Sequence, residues 1–245
     1  VLDFAWAEDP ISLFWIVLTD GTMACMTYNR PMNIVGWHKH DTQGKIKSIA
    51  VGNKNGESRL IALVDRGSGG LKLEVSASTG APVDSRVTVV LDTPGVTVTG
   101  LDSLDGFDCQ VVADGAVHPN RTPVGGEITL QLAATVVEVG LGYSKQISTL
   151  PFDKGSQKGS GRSHTKRYKD IYLKLVDSAI PFINGQIPPI RHPVTPMGER
   201  EPNTAVLVKV FNLGWTDDAI VDIVQDGPLN LKIAGIYGEV SQDSI

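Results

Sequence analysis

The sequence predicts an all-β protein built from short antiparallel strands. Apolar and polar residues alternate with a period of two in many segments, as they do in strands with one buried face. The 245 residues include 26 glycines and 14 prolines, so turn-forming residues recur throughout the chain. No window with helical periodicity exceeds about two turns. Short strands at this spacing are typical of sandwiches, barrels and propellers.

The first predicted hairpin lies near the start of the chain. Residues 12–19 form an apolar run, and residues 22–28 return as its partner strand. Between them, Asp20-Gly21 is a dipeptide that readily adopts positive φ angles and therefore suits a two-residue turn. These residues predict an antiparallel pair joined by a tight connection.

Further strands are predicted where apolar runs or alternations recur between turn-forming residues. They lie at residues 45–51, 59–64, 71–75, 87–91, 96–99, 110–112, 128–139, 171–175, 206–211, 220–224 and 231–240. In residues 71–75, Leu71, Leu73 and Val75 alternate with Lys72 and Glu74, the pattern of a half-buried strand.

The composition divides the chain into three blocks without a long linker. They are residues 1–76, residues 77–150 after a Ser- and Gly-rich turn, and residues 151–245, which open with a basic Gly-rich segment. Six prolines lie between Pro181 and Pro202, and a sheet interior does not accept them. We therefore expect that stretch to be an extended arm or surface loop, ordered by lying on another subunit.

Positive charge is concentrated in one segment. The chain has 22 basic and 27 acidic residues, a net charge of −5, which argues against a generally basic nucleic-acid-binding protein. Residues 154–169 contain six basic residues and no acidic one, with Gly and Ser among them. We expect a mobile loop that contacts either a polyanion such as DNA or the acidic surface of a neighbouring protein. The predicted contact residues are Lys158, Arg162, Lys166, Arg167 and Lys169.

Sequence motifs of common catalytic and metal sites are missing. The chain has neither a G-x-S-x-G nucleophile elbow nor a P-loop with the required glycine spacing. Its two cysteines, Cys25 and Cys109, lie far apart and outside any C-x-x-C motif, which argues against a disulfide scaffold or a cysteine zinc site. No apolar run approaches the ~20 residues of a membrane span. We predict no enzymatic activity, no cofactor, no metal and no membrane insertion.

Two clusters of potential metal ligands have simpler interpretations. His38 and His40 point to one face of a strand, but no further ligand has suitable spacing, so we interpret them as an exposed strand end with Trp37 packed inward. Three aspartates near Gly106 lack the spacing of an EF-hand, so we interpret them as part of a solvated hairpin turn. These are Asp102, Asp105 and Asp108.

Three groups of motifs follow one another over residues 10–180. The first runs from Phe14 through Asp20-Gly21 to Tyr28 and continues into a Trp-His-x-His-x-Thr-x-Gly run at residues 37–44. The second comprises Asp114-Gly115, residues 126–130 and residues 139–151, and the third is the basic segment that leads into residues 167–178. In this order the motifs resemble the tail nozzle (tail tubular B-like) proteins of short-tailed bacteriophages. Gly142 departs from that family, whose members more often carry Pro there.

The resemblance implies a structural protein of the virion. It implies a ring of about six copies at the distal end of the phage tail, continuing the channel through which DNA leaves. Residues 1–76 would then belong to a β-propeller-like part. The implied partners are other copies of the chain, the adjacent tail adaptor and fibre proteins, and transiently the phage DNA. Assembly would take place in the host cytoplasm, and this chain would be the C-terminal portion or a shortened relative of longer family members.

Two other function classes stay open. A virion receptor- or carbohydrate-binding β module would use exposed aromatic rings as stacking platforms. The candidate rings are Trp6, Trp15, Trp37 and Trp215, although apolar neighbours place Trp15 in the core. A polysaccharide-degrading enzyme also fits, because all-β glycosidases lack short motifs. The mass of the assembly discriminates between these classes, since only the nozzle requires a ring.

Overall fold

The computed structural model describes residues 1–153, 164–188, 206–211 and 214–242, and these residues are almost entirely β. The strands are β1 Asp3–Ala7, β2 Leu13–Val17, β3 Met23–Asn29, β4 Ile34–His40, β5 Lys45–Lys54, β6 Glu57–Asp65, β7 Leu71–Val75, β8 Asp84–Val98, β9 Cys109–Ala113, β10 Ala116–Arg121, β11 Ile128–Leu141, β12 Lys145–Ser148, β13 Lys166–Leu175, β14 Phe182–Ile183, β15 Val206–Phe211, β16 Asp222–Gln225 and β17 Ile233–Gln242. Two short 3₁₀ helices span Gly67–Gly69 and Asp102–Leu104. The predicted all-β class is confirmed. No helix in the described part is long and apolar enough to cross a membrane.

The chain forms two compact units, Val1–Leu141 and Gly142–Ile245. The second unit begins earlier than the boundary predicted between residues 150 and 151, because β12 pairs with β16 of that unit. The blocks 1–76 and 77–150 lie largely within the first unit. An ion pair between Arg66 and Asp84 connects these two blocks.

Two antiparallel sheets with up-and-down order face each other in the first unit. One has the order β1-β2-β3-β4 and the other the order β5-β6-β7. Val17 and Met23 of the first sheet pack with Ile46, Ile49 and Val64 of the second. Sheets of this order are the units from which propeller blades are made. The propeller itself stays a prediction.

β2 and β3 are joined by a three-residue loop, so the predicted two-residue turn is wrong. The Leu18 amide donates to the Thr22 carbonyl (2.8 Å), and the Gly21 amide donates to the Leu18 carbonyl (3.0 Å). Gly21 adopts a φ of 87°, in the left-handed region. The Asp20 carboxylate accepts hydrogen bonds from both the amide and the hydroxyl of Thr22. A turn followed by a left-handed residue is the usual form of a three-residue hairpin loop.

β7 forms where it was predicted, but its apolar side chains face the solvent. Leu71, Leu73 and Val75 are exposed, and Leu73 is 72% exposed. In the register of the sheet, Lys72 lies beside the buried Val64, so Lys72 and Glu74 occupy the face that carries the core. This orientation is the reverse of the usual arrangement in a half-buried strand.

The third sheet of this unit has the order β10-β9-β11-β8 and carries a separate core. The predicted strands at residues 87–91 and 96–99 are parts of one strand, β8, whose pairing with β11 is interrupted by register shifts. The core residues are Val98, Leu101, Leu104, Cys109, Val111, Ala113, Ile128, Leu130, Ala134, Val137, Val139 and Leu141.

The second unit contains two three-stranded sheets, β12-β16-β14 and β15-β13-β17. Its core consists of Ile171, Leu173, Leu175, Ile183, Val221 and Ile223. The predicted Pro-rich arm is wrong for its first residues, because β14 pairs with β16 as an edge strand and buries Ile183. Residues 189–202 of that predicted arm lie outside the described residues.

Candidate functional site

The predicted basic loop ends in a strand. Lys166, Arg167 and Lys169 lie in β13, whereas Lys158 and Arg162 lie outside the described residues. β13 pairs with β17 on one side, beginning with Lys166 opposite Gln242. The prediction of a mobile loop over residues 154–169 is therefore wrong for residues 166–169.

Lys166 is buried and is not available to a polyanion. Its side chain is among the largest that the chain buries completely, and the residue is 1% exposed. The ammonium nitrogen donates to the carbonyl oxygen of Asp217 (2.9 Å), and the backbone of Lys166 pairs with that of Thr216 in both directions. A register shift at Lys169 brings Lys166 and the buried Ile171 onto one face. The predicted contact at Lys166 is wrong for this reason.

Arg167 and Lys169 are exposed and have partners within the chain. The guanidinium carbon of Arg167 lies 5.1 Å from the centre of the Trp215 ring, a cation–π contact. Lys169 forms an ion pair with the carboxylate of Glu239 on β17. The carboxylate offsets the charge of Lys169, but an aromatic ring does not offset that of Arg167. Arg167 is therefore the better placed of the two to meet an anion.

The outer face of the β1–β4 sheet carries a row of large apolar side chains. Trp6, Phe14, Met26 and Trp37 lie opposite one another on successive strands, and we call them the aromatic row. Trp6 is 46% exposed and Trp37 is 59% exposed. The ring centres of Trp6 and Phe14 are 6.2 Å apart. Since the other face of this sheet supplies the core, the sheet is apolar on both faces, whereas a sheet with one face in water normally alternates.

The four tryptophans have different surroundings. Trp15 packs against the core of the first unit and contacts the ring of His40, with 5.1 Å between ring centres. Trp215 lies beneath Arg167. Trp37 points outward, so the prediction that it packs inward is wrong. Trp6 and Trp37 are the two that share one exposed surface.

His38 and His40 contact each other on the core-facing side of β4. Nδ1 of His38 lies 2.7 Å from Nε2 of His40, so one ring donates a hydrogen bond to the other. Burial, and then the neighbouring His38, lowers the pKa of His40 to about 4. Burial also lowers the pKa of His38. Among the described residues no group of three or more potential ligands surrounds a metal position. The two rings form a hydrogen-bonded pair in which His38 is exposed and His40 is half-buried.

A buried arginine links three segments of the first unit, which the sequence motifs did not reveal. Nε and Nη2 of Arg66 donate to the two carboxylate oxygens of Glu74 (2.9 and 2.6 Å). Nη1 donates to Asp84 (3.0 Å), to the hydroxyl of Thr42 (2.5 Å) and to the carbonyl of Gln43 (2.8 Å). Burial lowers the pKa of Arg66, but the hydrogen bonds to the carboxylates outweigh it and leave that pKa raised. The guanidinium is therefore a fixed positive charge inside the unit.

The Thr-x-Gly end of the Trp-His-x-His-x-Thr-x-Gly run lies at this arginine. The Thr42 hydroxyl bridges Arg66 and Asp84, since it accepts from the first and donates to the second. A Cβ at Gly44 would lie 2.4 Å from the Asp65 carbonyl oxygen, so the close approach requires glycine. This part of the motif has a structural role.

The three aspartates around Gly106 lie in different local environments. Asp102 begins the 3₁₀ helix Asp102–Leu104, which buries Leu104, so the predicted hairpin turn is wrong here. Asp105 accepts a hydrogen bond from the Gly126 amide (3.0 Å), and Asp108 accepts one from the Asn120 side chain (2.9 Å). These carboxylates order the surrounding loops.

A scan against models of protein families finds no match to this chain, and a search of curated proteins finds none at a significant level. The tail nozzle resemblance therefore stays a prediction from the sequence.

Proposed function

We propose that the chain is a non-enzymatic structural subunit of a bacteriophage tail nozzle, and that a ring of about six copies forms part of the DNA ejection channel. The aromatic row is the observation that carries the proposal. Soluble monomers rarely expose a contiguous apolar patch of this kind. Contact between neighbouring copies in a ring would cover it. The motifs of residues 10–180, which resemble those of tail nozzle proteins in the same order, are the reason for proposing this particular assembly.

The aromatic row would contribute substantially to such a contact. A tryptophan of roughly 200 Å² that is about half exposed retains ~100 Å² to bury, worth about 2.5 kcal/mol at ~25 cal/mol per Å². Trp6 and Trp37 each fit this description. Loss of one of them would weaken each contact about 60-fold, since 1.4 kcal/mol corresponds to tenfold in affinity.

The charges favour transient contact with DNA. Lys166 is buried, Lys169 is paired, and the chain carries a net charge of −5. Each cation that meets a phosphate adds to affinity, so a strongly cationic wall would retain DNA instead of letting it pass. We place Arg167 at the DNA-facing surface, together with Lys158 and Arg162 from the sequence prediction. The other partners are the adaptor and fibre proteins of the virion.

Mass measurement of the assembly tests the ring. Native mass spectrometry should give a ring of about six copies for the wild type. Trp37→Ala should require roughly 60-fold higher concentration to assemble. The control is Leu150→Ala, which truncates an exposed leucine outside the row and should assemble normally. A wild type that stays monomeric, or a ring unaffected by Trp37→Ala, would contradict the proposal.

Retention on DNA tests the role of Arg167. Arg167→Gln should leave the ring intact and reduce the slope of log affinity against log salt by about one. Lys174→Gln is the matched control, because Lys174 is an exposed cation on the same strand, β13. Equal effects of both variants would show general charge attraction and exclude a specific role of Arg167.

The aromatic row also favours a second candidate, a receptor- or carbohydrate-binding module. Exposed indole faces stack on the apolar faces of sugars, and Trp6 and Trp37 lie on one surface. A monomer or trimer retarded by a polysaccharide gel, with the retardation lost in both Trp6→Ala and Trp37→Ala, would support this candidate. An unretarded chain that forms the ring would exclude it.

A further inference from the structure

β7 is an edge strand whose outer edge is open to pairing. The sheet order β5-β6-β7 leaves one edge of β7 without a partner strand among the described residues. Proteins usually protect such an edge with proline, a bulge, a covering loop or inward-pointing charges, and of these β7 has only the charges, Lys72 and Glu74, in the described part of the chain. β7 contains no proline, its register against β6 is unbroken, and Leu73 at its centre is 72% exposed. An exposed apolar edge of this kind is a template for another strand.

The backbone of β7 presents a regular set of donors and acceptors at this edge. The Ser76 amide donates to the Leu60 carbonyl (2.8 Å), and the Gly70 carbonyl accepts from the Arg66 amide (2.9 Å). Even-numbered residues therefore direct their backbone groups to β6. Because the direction alternates along a strand, the odd-numbered residues of β7 direct theirs to the free edge.

The sequence of β7 is complementary to itself in the antiparallel direction. When two β7 strands are placed antiparallel about an axis at Leu73, Leu73 of one strand faces Leu73 of the other. Leu71 then faces Val75 of the other strand, and Lys72 faces Glu74 of the other strand. The Lys72 and Glu74 positions would be the non-hydrogen-bonded ones, where opposing side chains come closest. Opposite charges meet there, and each Glu74 carboxylate would bind Lys72 of the other copy in addition to Arg66 of its own. This complementarity selects a second copy of the chain as the partner.

We propose that β7 strands of two copies pair antiparallel about a two-fold axis at Leu73. The two sheets then form one continuous sheet in the order β5-β6-β7-β7-β6-β5. The odd-numbered residues of both strands exchange their free backbone hydrogen bonds, and the Lys72–Glu74 pairs fix the register.

This contact is independent of the nozzle proposal. Neighbours in a cyclic ring meet through two different surfaces, whereas a two-fold contact uses the same surface on both copies. Pairing through β7 therefore joins two rings or two free subunits. A variant with a blocked β7 edge should still form the ring. An experiment can therefore refute the β7 contact without refuting the nozzle proposal, and the reverse.

Disulfide trapping in the full chain tests the register. Leu73→Cys should give a covalent dimer under mild oxidation, because the two new thiols face each other at the axis. In Leu71→Cys the counterparts lie four residues apart along the strands, ~13 Å, which is beyond disulfide reach. The native Cys25 and Cys109 are buried and leave the background low. Absence of a Leu73→Cys dimer, or equal yields from both variants, would overturn the proposal.

Charge placed at the axis tests the contact without oxidation. Analytical ultracentrifugation of the wild type should show the assembly mass doubling with concentration. Leu73→Lys should abolish the doubling, since two ammonium groups would oppose each other. Leu132→Lys is the control, because Leu132 is 70% exposed and lies on β11. Circular dichroism checks that both variants are folded. No doubling in the wild type, or doubling that persists in Leu73→Lys, would refute the contact.

Discussion

Arg66→Ala perturbs the most connected ion pair of the first unit. The guanidinium is buried and binds Glu74 through two hydrogen bonds and Asp84 through one. Removing one partner of a buried ion pair costs about 3–5 kcal/mol, because the other charge stays without compensation. Glu74 and Asp84 are both partly accessible to water, which lowers the cost. We therefore expect a loss of about 3 kcal/mol in the free energy of unfolding.

Thermal unfolding of the full chain measures this loss. At ~2–4 °C per kcal/mol for a domain of this size, the midpoint of the first unit should fall by roughly 6–12 °C. Lys47→Ala is the control, because it removes the exposed pair with Asp65 and should cost less than ~1 kcal/mol. Arg66→Lys keeps the charge but loses the two-pronged contact with Glu74, and should lie between the two. If Arg66→Ala and Lys47→Ala lower the midpoint equally, the buried network does not stabilise the fold as argued.

Three further predictions concern buried titratable groups. The pKa of His40 is about 4 in the folded chain and ~6.5 when unfolded, so the unfolded state binds the proton first. Stability should therefore fall by about 3 kcal/mol from pH 7 to pH 4 in urea titrations, and less in His40→Gln. Lys166→Ala should lower stability by about 2–4 kcal/mol, from a cavity and an unpaired carbonyl, whereas Lys169→Ala should cost less than ~1 kcal/mol; calorimetry measures both. Burial raises the pKa of Cys25 and Cys109 to about 11, so iodoacetamide at pH 8 should modify native thiols at least ~100-fold more slowly than urea-unfolded ones.

The sequence predicts strands best where they are buried. β3, β6 and β11 carry apolar runs that face a core, and each was predicted close to its observed bounds. β10, β12 and β14 were not predicted, and all three lie at sheet edges. Edge strands with polar or very short sequences have little apolar pattern, and β10 even contains Pro119. Pairing with a neighbouring strand defines them, and a single sequence does not display that pairing.

The basic segment shows why charge counting was insufficient for the candidate site. Composition placed Lys166 with the other cations of residues 154–169, although its side chain points into the second unit. The cause is the register shift at Lys169, which changes the face of every residue before it. Charge composition contains no information about such a shift. The exposed Trp37 is a similar case, since a large aromatic residue on a strand was expected to face inward.

The orientation of β7 connects the buried network of the first unit to its surface. Arg66 requires the carboxylate of Glu74 on the core-facing side of the sheet. Because side chains alternate along a strand, this requirement turns Leu71, Leu73 and Val75 outward. The reverse orientation would bury Leu71, Leu73 and Val75 but would remove Glu74 from Arg66 and leave Asp84 as its carboxylate partner. The ion network thus turns the apolar side chains of β7 to the solvent, while the backbone groups of its outer edge stay free for the second copy that we infer beside it.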